Sequence, residues 1–266
     1  MIDGDAQDPV ALGPAVVEAS VKALNVRYSV LPYLYTLFWN AHRSGAPVAR
    51  PLFFEFPADR QTHTVDEQFL WGQALLVAPV LTEDTHHVEL YVPRARWYDF
   101  YSRRLVSAYG GQWLRLAAPL DTIPLLVRGG HVLPMQQPAQ TTTESRLNPF
   151  HLLVALDETF QARGELYWDA GDDDGGDDDA GRYDLVGFEA SGKTLRSQVL
   201  HWNYLGRQAL RLERVAVLGV GASQPVVSVR VNGRPHDAFA FDAEARLLTV
   251  TRLEASLGQP MVIDYE

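Results

Sequence analysis

Residues 168–183, WDAGDDDGGDDDAGRY, hold seven aspartates in sixteen positions. Carboxylates at that density could bind a divalent cation, supply an acid–base pair for hydrolysis, or fill a solvated loop between two strands. The acid–base reading fails first. It needs two carboxyls in a rigid pocket with one of them desolvated, whereas adjacent aspartates beside Gly171, Gly175, Gly176 and Gly181 repel one another in water. A calcium loop needs a glycine at its sixth position and oxygen ligands at its first and twelfth. With Gly175 as that glycine the first and twelfth residues are Ala170 and Gly181; with Gly176 they are Gly171 and Arg182. Neither register supplies the ligands, and the glycine–aspartate pattern occurs once, without the repeat of a calcium-binding solenoid. The run reads as a solvated acidic loop, so no metal and no cofactor is expected.

Other residues with chemical potential read the same way. His86 and His87 precede a strand, and neighbouring strand residues point to opposite faces, so the pair suits an exposed turn better than a shared metal. His131, His151 and His201 have no carboxylate or cysteine at ligand spacing. Trp97, Tyr98, Phe100 and Tyr101 could form a platform for stacking sugars, or they could be strand core with its border. Gly110-Gly111 and Gly129-Gly130 look like turns and lack the helix start that a phosphate cradle requires. No residue of this chain is assigned a catalytic role.

The elements that would hold these residues are mostly strands. From Pro14 to about His42, Val17, Val21, Leu24, Tyr28, Leu31, Tyr35 and Phe38 recur at helical spacing on one face. Pro14 suits a first helical turn, Ser44-Gly45 reads as the stop, and Pro32 must kink or split the segment. That aromatic face needs a large partner, and nothing before it in the chain can supply one. After Pro47 short strand-like runs alternate with turn chemistry; Pro134 and Pro138, with MQQPAQTTTESR, mark a boundary near residue 140, after which strand-like runs resume to the C-terminus. The expected architecture is mainly β: a helical piece over residues 1–45, then two antiparallel sandwiches over 46–138 and 139–266, the second carrying the Asp/Gly loop 169–181. Asn232-Gly233 is expected to turn a hairpin, flanked by SVRV and the later FAF.

Bulk properties exclude several classes. The chain has 266 residues, no cysteine and a net charge of −10, seven units of which come from the aspartate run. A mildly acidic body without a basic stripe argues against nucleic acid or an anionic membrane surface as partner, and no tract is long and apolar enough to span a bilayer. Disulfides and thiolate chemistry are excluded within these residues. There is no Asn-x-Ser/Thr sequon, and MIDGDAQDPV lacks the basic and apolar regions of a signal peptide.

Several long segments, in order, resemble glycoside hydrolase family 31 and most of all its eukaryotic α-glucosidases. They are LNVRYSVLPYLYTLF (24–38), VARPLFFEFPADRQTHTVDEQFLWGQALLVAPVL (48–81), RWYDFYS (96–102), GGQWLRLAAPLDTIPLLVRGGHVLP (110–134), TTTESRLNPFHLLVALD (141–157) and GELYWDAG (164–171). The resemblance implies the final helices of a (β/α)8 barrel followed by a proximal and a distal β-sandwich. It implies a retaining mechanism with two aspartates flanking the glycosidic bond, about 5–5.5 Å apart. The family's W-x-D-M-N-E, G-D-N and R-N-H motifs do not occur here. Trp168-Asp169 has no Met-Asn-Glu after it, Gly4-Asp5 and Gly171-Asp172 have no asparagine, and Gln7-Asp8-Pro9 is similar to the segment just past the family's binding histidine. The expectation is therefore the C-terminal part of an enzyme cleaving terminal α-linked glucose from oligosaccharides or glycogen- or starch-like polymers, with its catalytic carboxylates upstream and no activity of its own. The resemblance also implies a secretory, lysosomal, vacuolar or extracellular setting. The competing expectation is a free-standing carbohydrate-binding or interaction module.

Overall fold

The computed structural model describes residues 8–171, 181–204, 210–221 and 225–266. Two helices lead. Helix α1 spans Pro14–Ser29 and helix α2 spans Leu31–Ser44. Pro32 splits them as expected: it sits in the first turn of α2, where its missing N–H costs nothing. Gly45 ends α2 in the left-handed conformation, φ 72°, with its N–H on the carbonyl of Ala41.

The first β-module comprises β1 (Ala49–Arg50), β2 (Phe69–Trp71), β3 (Leu75–Val77), β4 (His87–Val92), β5 (Trp97–Asp99), β6 (Leu105–Ser107), β7 (Gln112–Ala117) and β8 (Leu125–Arg128). Six of these form a sheet in the order β1-β2-β3-β8-β5-β6, and β4 pairs with β7 in a separate ribbon. Leu70, Leu76, Leu90, Val92, Trp97 and Leu126 fill the space between sheet and ribbon.

The second module comprises β9 (His131–Gln136), β10 (Phe150–Ala155), β11 (Gln161–Trp168), β12 (Asp184–Ser191), β13 (Thr194–Trp202), β14 (Arg211–Leu218), β15 (Val229–Val231), β16 (Arg234–Pro235), β17 (Phe239–Asp242), β18 (Leu247–Val250), β19 (Ala255–Ser256) and β20 (Met261–Tyr265). These pair continuously in the order β16-β15-β20-β13-β12-β11-β9-β10-β14-β18-β17, with β19 against β14, and the sheet curls around a core that includes Phe150, Leu166, Val186, Leu212 and Ile263. Most pairings are antiparallel, but β10 and β14 run parallel over six residues each. Asn232 (φ 50°) and Gly233 (φ 76°) make the expected turn. Its second arm is Arg234–Pro235, however, because the later FAF run pairs with β18.

The change of sheet falls earlier than residue 138. It occurs at Gly129-Gly130, whose N–H groups bond the carbonyls of Arg96 and Ala155, and β9 belongs to the second module. Pro134 read as punctuation, yet it lies inside β9 opposite Leu152. This strand is buried on both faces: Val132 faces the distal core, while Leu133 and Met135 join a core shared by both modules and α2. In that shared core Tyr33, Leu34 and Leu37 of α2 meet Leu75 and Val127 of the first module and Leu153 of the second. Gly72, at φ 60°, lets the β2–β3 hairpin touch α2, since a Cβ there would stand 2.5 Å from Leu37 and 2.6 Å from the Tyr33 hydroxyl.

Candidate functional site

The densest polar arrangement lies at the root of the acidic loop. Asp169 follows the last residue of β11 and is only 8% exposed. One carboxylate oxygen accepts the Tyr35 hydroxyl at 2.7 Å and the Gly171 N–H at 2.9 Å; the other accepts the Tyr167 hydroxyl at 2.7 Å. Arg146 donates to the Asp169 carbonyl and lays its guanidinium over the Trp168 ring, 4.0 Å from its centroid. Helix α2 supplies more than Tyr35. The Thr36 hydroxyl donates to the Pro32 carbonyl and accepts the Tyr167 N–H at 3.0 Å, and Trp39 stacks on Tyr167 with centroids 4.9 Å apart. Tyr183 and His201 extend the stack across β12 and β13, 4.1 Å apart.

Chemically this arrangement positions; it does not transfer. This carboxylate is buried and its two oxygens already take three donors, two of them tyrosine hydroxyls from α2 and β11, so its charge is spent on holding those groups. Trp168-Asp169 therefore ties the distal sheet to α2. The rest of the run, Asp172–Asp179, lies outside the described residues, as do Gly4, Asp5 and Gln7. Its flanks are described: Trp168 pairs with Asp184, so the run joins two arms of an antiparallel hairpin.

The other sequence candidates separate cleanly. Trp97, Tyr98 and Phe100 are buried, and only Tyr101 reaches solvent. Tyr98 crosses from the first module to the second, its hydroxyl donating to the Leu156 carbonyl at 2.6 Å beneath Gly219, where any side chain would strike it. Of the two readings of 97–101, stacking platform or strand core with its border, the structure gives the core with its border. His86 is exposed, and His87 lies in β4 with its Nε2 2.8 Å from Arg115. His201 bonds the Gly181 carbonyl. His131 stands where β9 meets β11; burial above all, with Arg128 adding, pushes its imidazole down to about 4 against the opposing pull of Asp157. For His151 the structure does supply a carboxylate: the parallel β10–β14 pairing brings Glu213 to 3.3 Å, although burial still holds the imidazole below its ordinary value. Among the described residues no group of three or more His, Cys, Asp or Glu could hold a metal ion, and no helix is long and apolar enough to cross a membrane.

Two concavities flank α2. One, of about 520 Å³, is lined by Tyr28 of α1, by Leu31, Tyr35 and Phe38 of α2, and by Arg146 and Trp168 opposite. The other, of about 1090 Å³, lies between α2 and the outer face of β11–β13 and reaches the buried Arg50–Glu55 ion pair. The face of α1 and α2 that the sequence marked as needing a partner is left partly open, although Tyr35 within it is engaged with Asp169 and Tyr167. Val21, Leu24 and Phe38 are half or more exposed, while Val26, Val30, Tyr33, Leu34 and Leu37 pack against the two sheets. Within this chain the buried face is the opposite one.

Comparison with known proteins is consistent over the whole length. Residues 45–133 match the family model described as glycosyl hydrolase family 31 C-terminal domain. The chain is 39% identical to lysosomal alpha-glucosidase of Bos taurus over 279 aligned residues, covering 99% of this chain and 29% of that protein. It is 37% identical to intestinal sucrase-isomaltase of Oryctolagus cuniculus, covering 98% of this chain and 14% of that protein. Its fold superposes on the crystal structure of a glucosidase II alpha subunit with a TM-score of 0.89 at 28% identity, over 100% of this chain and 30% of that one. The chain thus spans less than a third of the length of each of these proteins.

Proposed function

Because this chain belongs to glycosyl hydrolase family 31, through the C-terminal region of the family's α-glucosidases, we propose that it acts as that region of a retaining α-glucosidase. The enzyme would release terminal α-linked glucose from oligosaccharides or glycogen- or starch-like polymers. On this reading the nucleophile and the acid/base belong to a barrel outside these residues, and the 266 residues have no turnover alone. Residues 1–45 are the helical end of that barrel, and the two β-modules buttress it.

The observation that carries the reading is the double demand of α2. A helix apolar on one face needs one partner; a helix apolar on two opposed faces needs two. Tyr33, Leu34 and Leu37 have theirs in this chain, whereas Phe38, at 58% exposure, does not, and on the preceding α1 Leu24 is likewise half exposed. A barrel wall against that face would complete the burial.

The test is reconstitution. The 266-residue chain is assayed with a chromogenic α-glucoside, alone and after co-expression with a family 31 barrel as a separate polypeptide. The expected result is no turnover alone and turnover in a co-purifying complex. Turnover by the chain alone would sink the assignment of the catalytic pair to another stretch. A chain that stays monomeric and never joins a barrel would favour the second reading, a stand-alone carbohydrate-binding module, for which half-exposed Trp113 speaks.

A further inference from the structure

Residues 97–101 are core with its border rather than a stacking surface, but the outer face of the β4–β7 ribbon has the properties such a platform needs. Alternate residues of the ribbon point inward to Leu70, Leu76 and Leu126: Val88, Leu90 and Val92 from β4, Leu114 and Leu116 from β7. The outward set is therefore fixed by register. Tyr91 lies opposite Trp113, Glu89 opposite Arg115, and His87 opposite Ala117. Trp113 is 53% exposed, with the Tyr91 ring beside it at 5.6 Å and tilted by 56°.

This face is rigid. Gln68 grips the Tyr91 backbone from both sides, its amide donating to the carbonyl at 2.7 Å and its oxygen accepting the N–H at 2.7 Å. The Tyr91 hydroxyl donates to Asp59 at 2.7 Å; burial first, and then that carboxylate, push the phenol up to about 12, so it stays a donor at any physiological pH. Tyr109, 80% exposed, precedes β7 on a turn pinned by Gly110 N–H to Ser107 Oγ at 3.0 Å and Gly111 N–H to the Val92 carbonyl at 2.6 Å. Gly110 takes φ 67° with its α-carbon against the Pro93 carbonyl, leaving no room for a side chain.

A pyranose presents an apolar face of C–H groups ringed by hydroxyls. An exposed indole on a strand, bordered by hydrogen-bonding groups, matches both parts. Here the border on the outward face is Glu89 and Arg115, with His87 held 2.8 Å from Arg115. A docking site for another protein would surround its aromatic anchor with further apolar surface. Across the ribbon Trp113 meets Tyr91, which is only 5% exposed, and along it comes the charged Arg115 with Glu89 opposite, so little further apolar surface adjoins the exposed indole.

We propose that the outer face of the β4–β7 ribbon, with Trp113 as platform, is a surface site for neutral oligosaccharides of α-linked glucose. The identity of the sugar rests on the α-glucosidase reading; the site itself rests on the ribbon. The test is affinity electrophoresis of the protein as made from its own gene, in gels with and without amylose or glycogen. Wild type is retarded by the glucan. Trp113→Ala weakens retention about tenfold, the worth of one stacked ring, and Trp113→Phe restores most of it. Melting temperature and sedimentation stay as in wild type, because Trp113 supports no core. Absent retention of wild type, or a Trp113→Ala protein retained like wild type, overturns the proposal. So does a Trp113→Ala protein that changes only its state of association, which would mark a protein interface. Retention by a β-linked glucan alone overturns the choice of sugar. None of these outcomes touches the reconstitution assay, so the two readings fail separately.

Discussion

Replacing Tyr35 by phenylalanine removes one hydroxyl from Asp169 and keeps the ring that packs beside Tyr167. The lost bond is charge-assisted and the carboxylate is buried, so the cost is about 1.5–3 kcal/mol. The low end applies, because Tyr167 and the Gly171 N–H still hold the carboxylate. Asp169→Ala does something different: it removes at once the acceptor shared by two tyrosine hydroxyls and an amide, for about 3–5 kcal/mol. Asp169→Asn keeps the shape and one acceptor, and hydroxyls can rotate to accept from its NH2, so about 1 kcal/mol is expected. The assay is urea unfolding at neutral pH, with the Tyr35→Phe/Asp169→Ala double variant closing a cycle. Coupling of about 1 kcal/mol or more is expected, since Tyr35 has little left to lose once Asp169 is gone. Additive effects, or a Tyr35→Phe protein within about 0.5 kcal/mol of wild type, would refute the view that Asp169 fastens α2 to the distal sheet.

Four further outcomes follow from the packing. Leu37→Ala lowers stability by about 2–4 kcal/mol because its face is filled, while Phe38→Ser leaves the unfolding midpoint within error and raises the solubility of the isolated chain. Gly72→Ala costs about 2–3 kcal/mol, visible as a lower melting temperature, because the new methyl meets Leu37 at 2.5 Å in a left-handed backbone. His131, depressed from 6.5 to about 4 when folded, makes the unfolded chain the better proton binder between those values. Its contribution is complete above about pH 6.5 and is lost as pH falls toward 4, about 1–2 kcal/mol for a partly exposed ring; denaturation midpoints across that range should flatten in His131→Gln. Deleting Asp172–Asp179 leaves the melting temperature within about 2 °C of wild type, and adding calcium to wild type does not raise it.

The sequence was legible where local chemistry decides. Pro32 and Gly45 mark real helix ends because each acts through its own backbone. The alternating runs became strands, and Asn232-Gly233 became a turn, for the same reason. What stayed hidden depends on pairing across long separations. His151 gained Glu213 only through a parallel pairing 62 residues apart, and Asp169 gained Tyr35 across 134. The second apolar face of α2, with Tyr33, Leu34 and Leu37, was missed for a subtler reason. Where apolar residues surround most of a helix, periodicity identifies a face without saying which neighbour takes it. Pro134 misled in the opposite way: its place inside β9 is tolerated because only one side of that strand carries a full ladder, to β10, while its other neighbour, β11, joins it through a single bridge.

The acidic run drew attention as a place for catalysis or a metal, and its first aspartate is structural. Asp169 is fixed by Tyr35 and Tyr167, while Arg146 holds the carbonyl of the same residue. The root of the loop is therefore set by helix α2 and by the short segment after β9, not by the loop's own sequence. Glycine and aspartate can then fill the eleven or so positions beyond it without disturbing the sheet, since β11 and β12 are already in register at Trp168 and Asp184. An insertion that costs the fold nothing needs such an anchored root, and the density of charge beyond it follows from what solvent permits. The same anchor gives α2 its second function in the fold. One face of the helix closes the core shared by the two modules and the flank beside it clamps the hairpin root, which leaves the Leu24–Phe38 face for the barrel that we propose covers it.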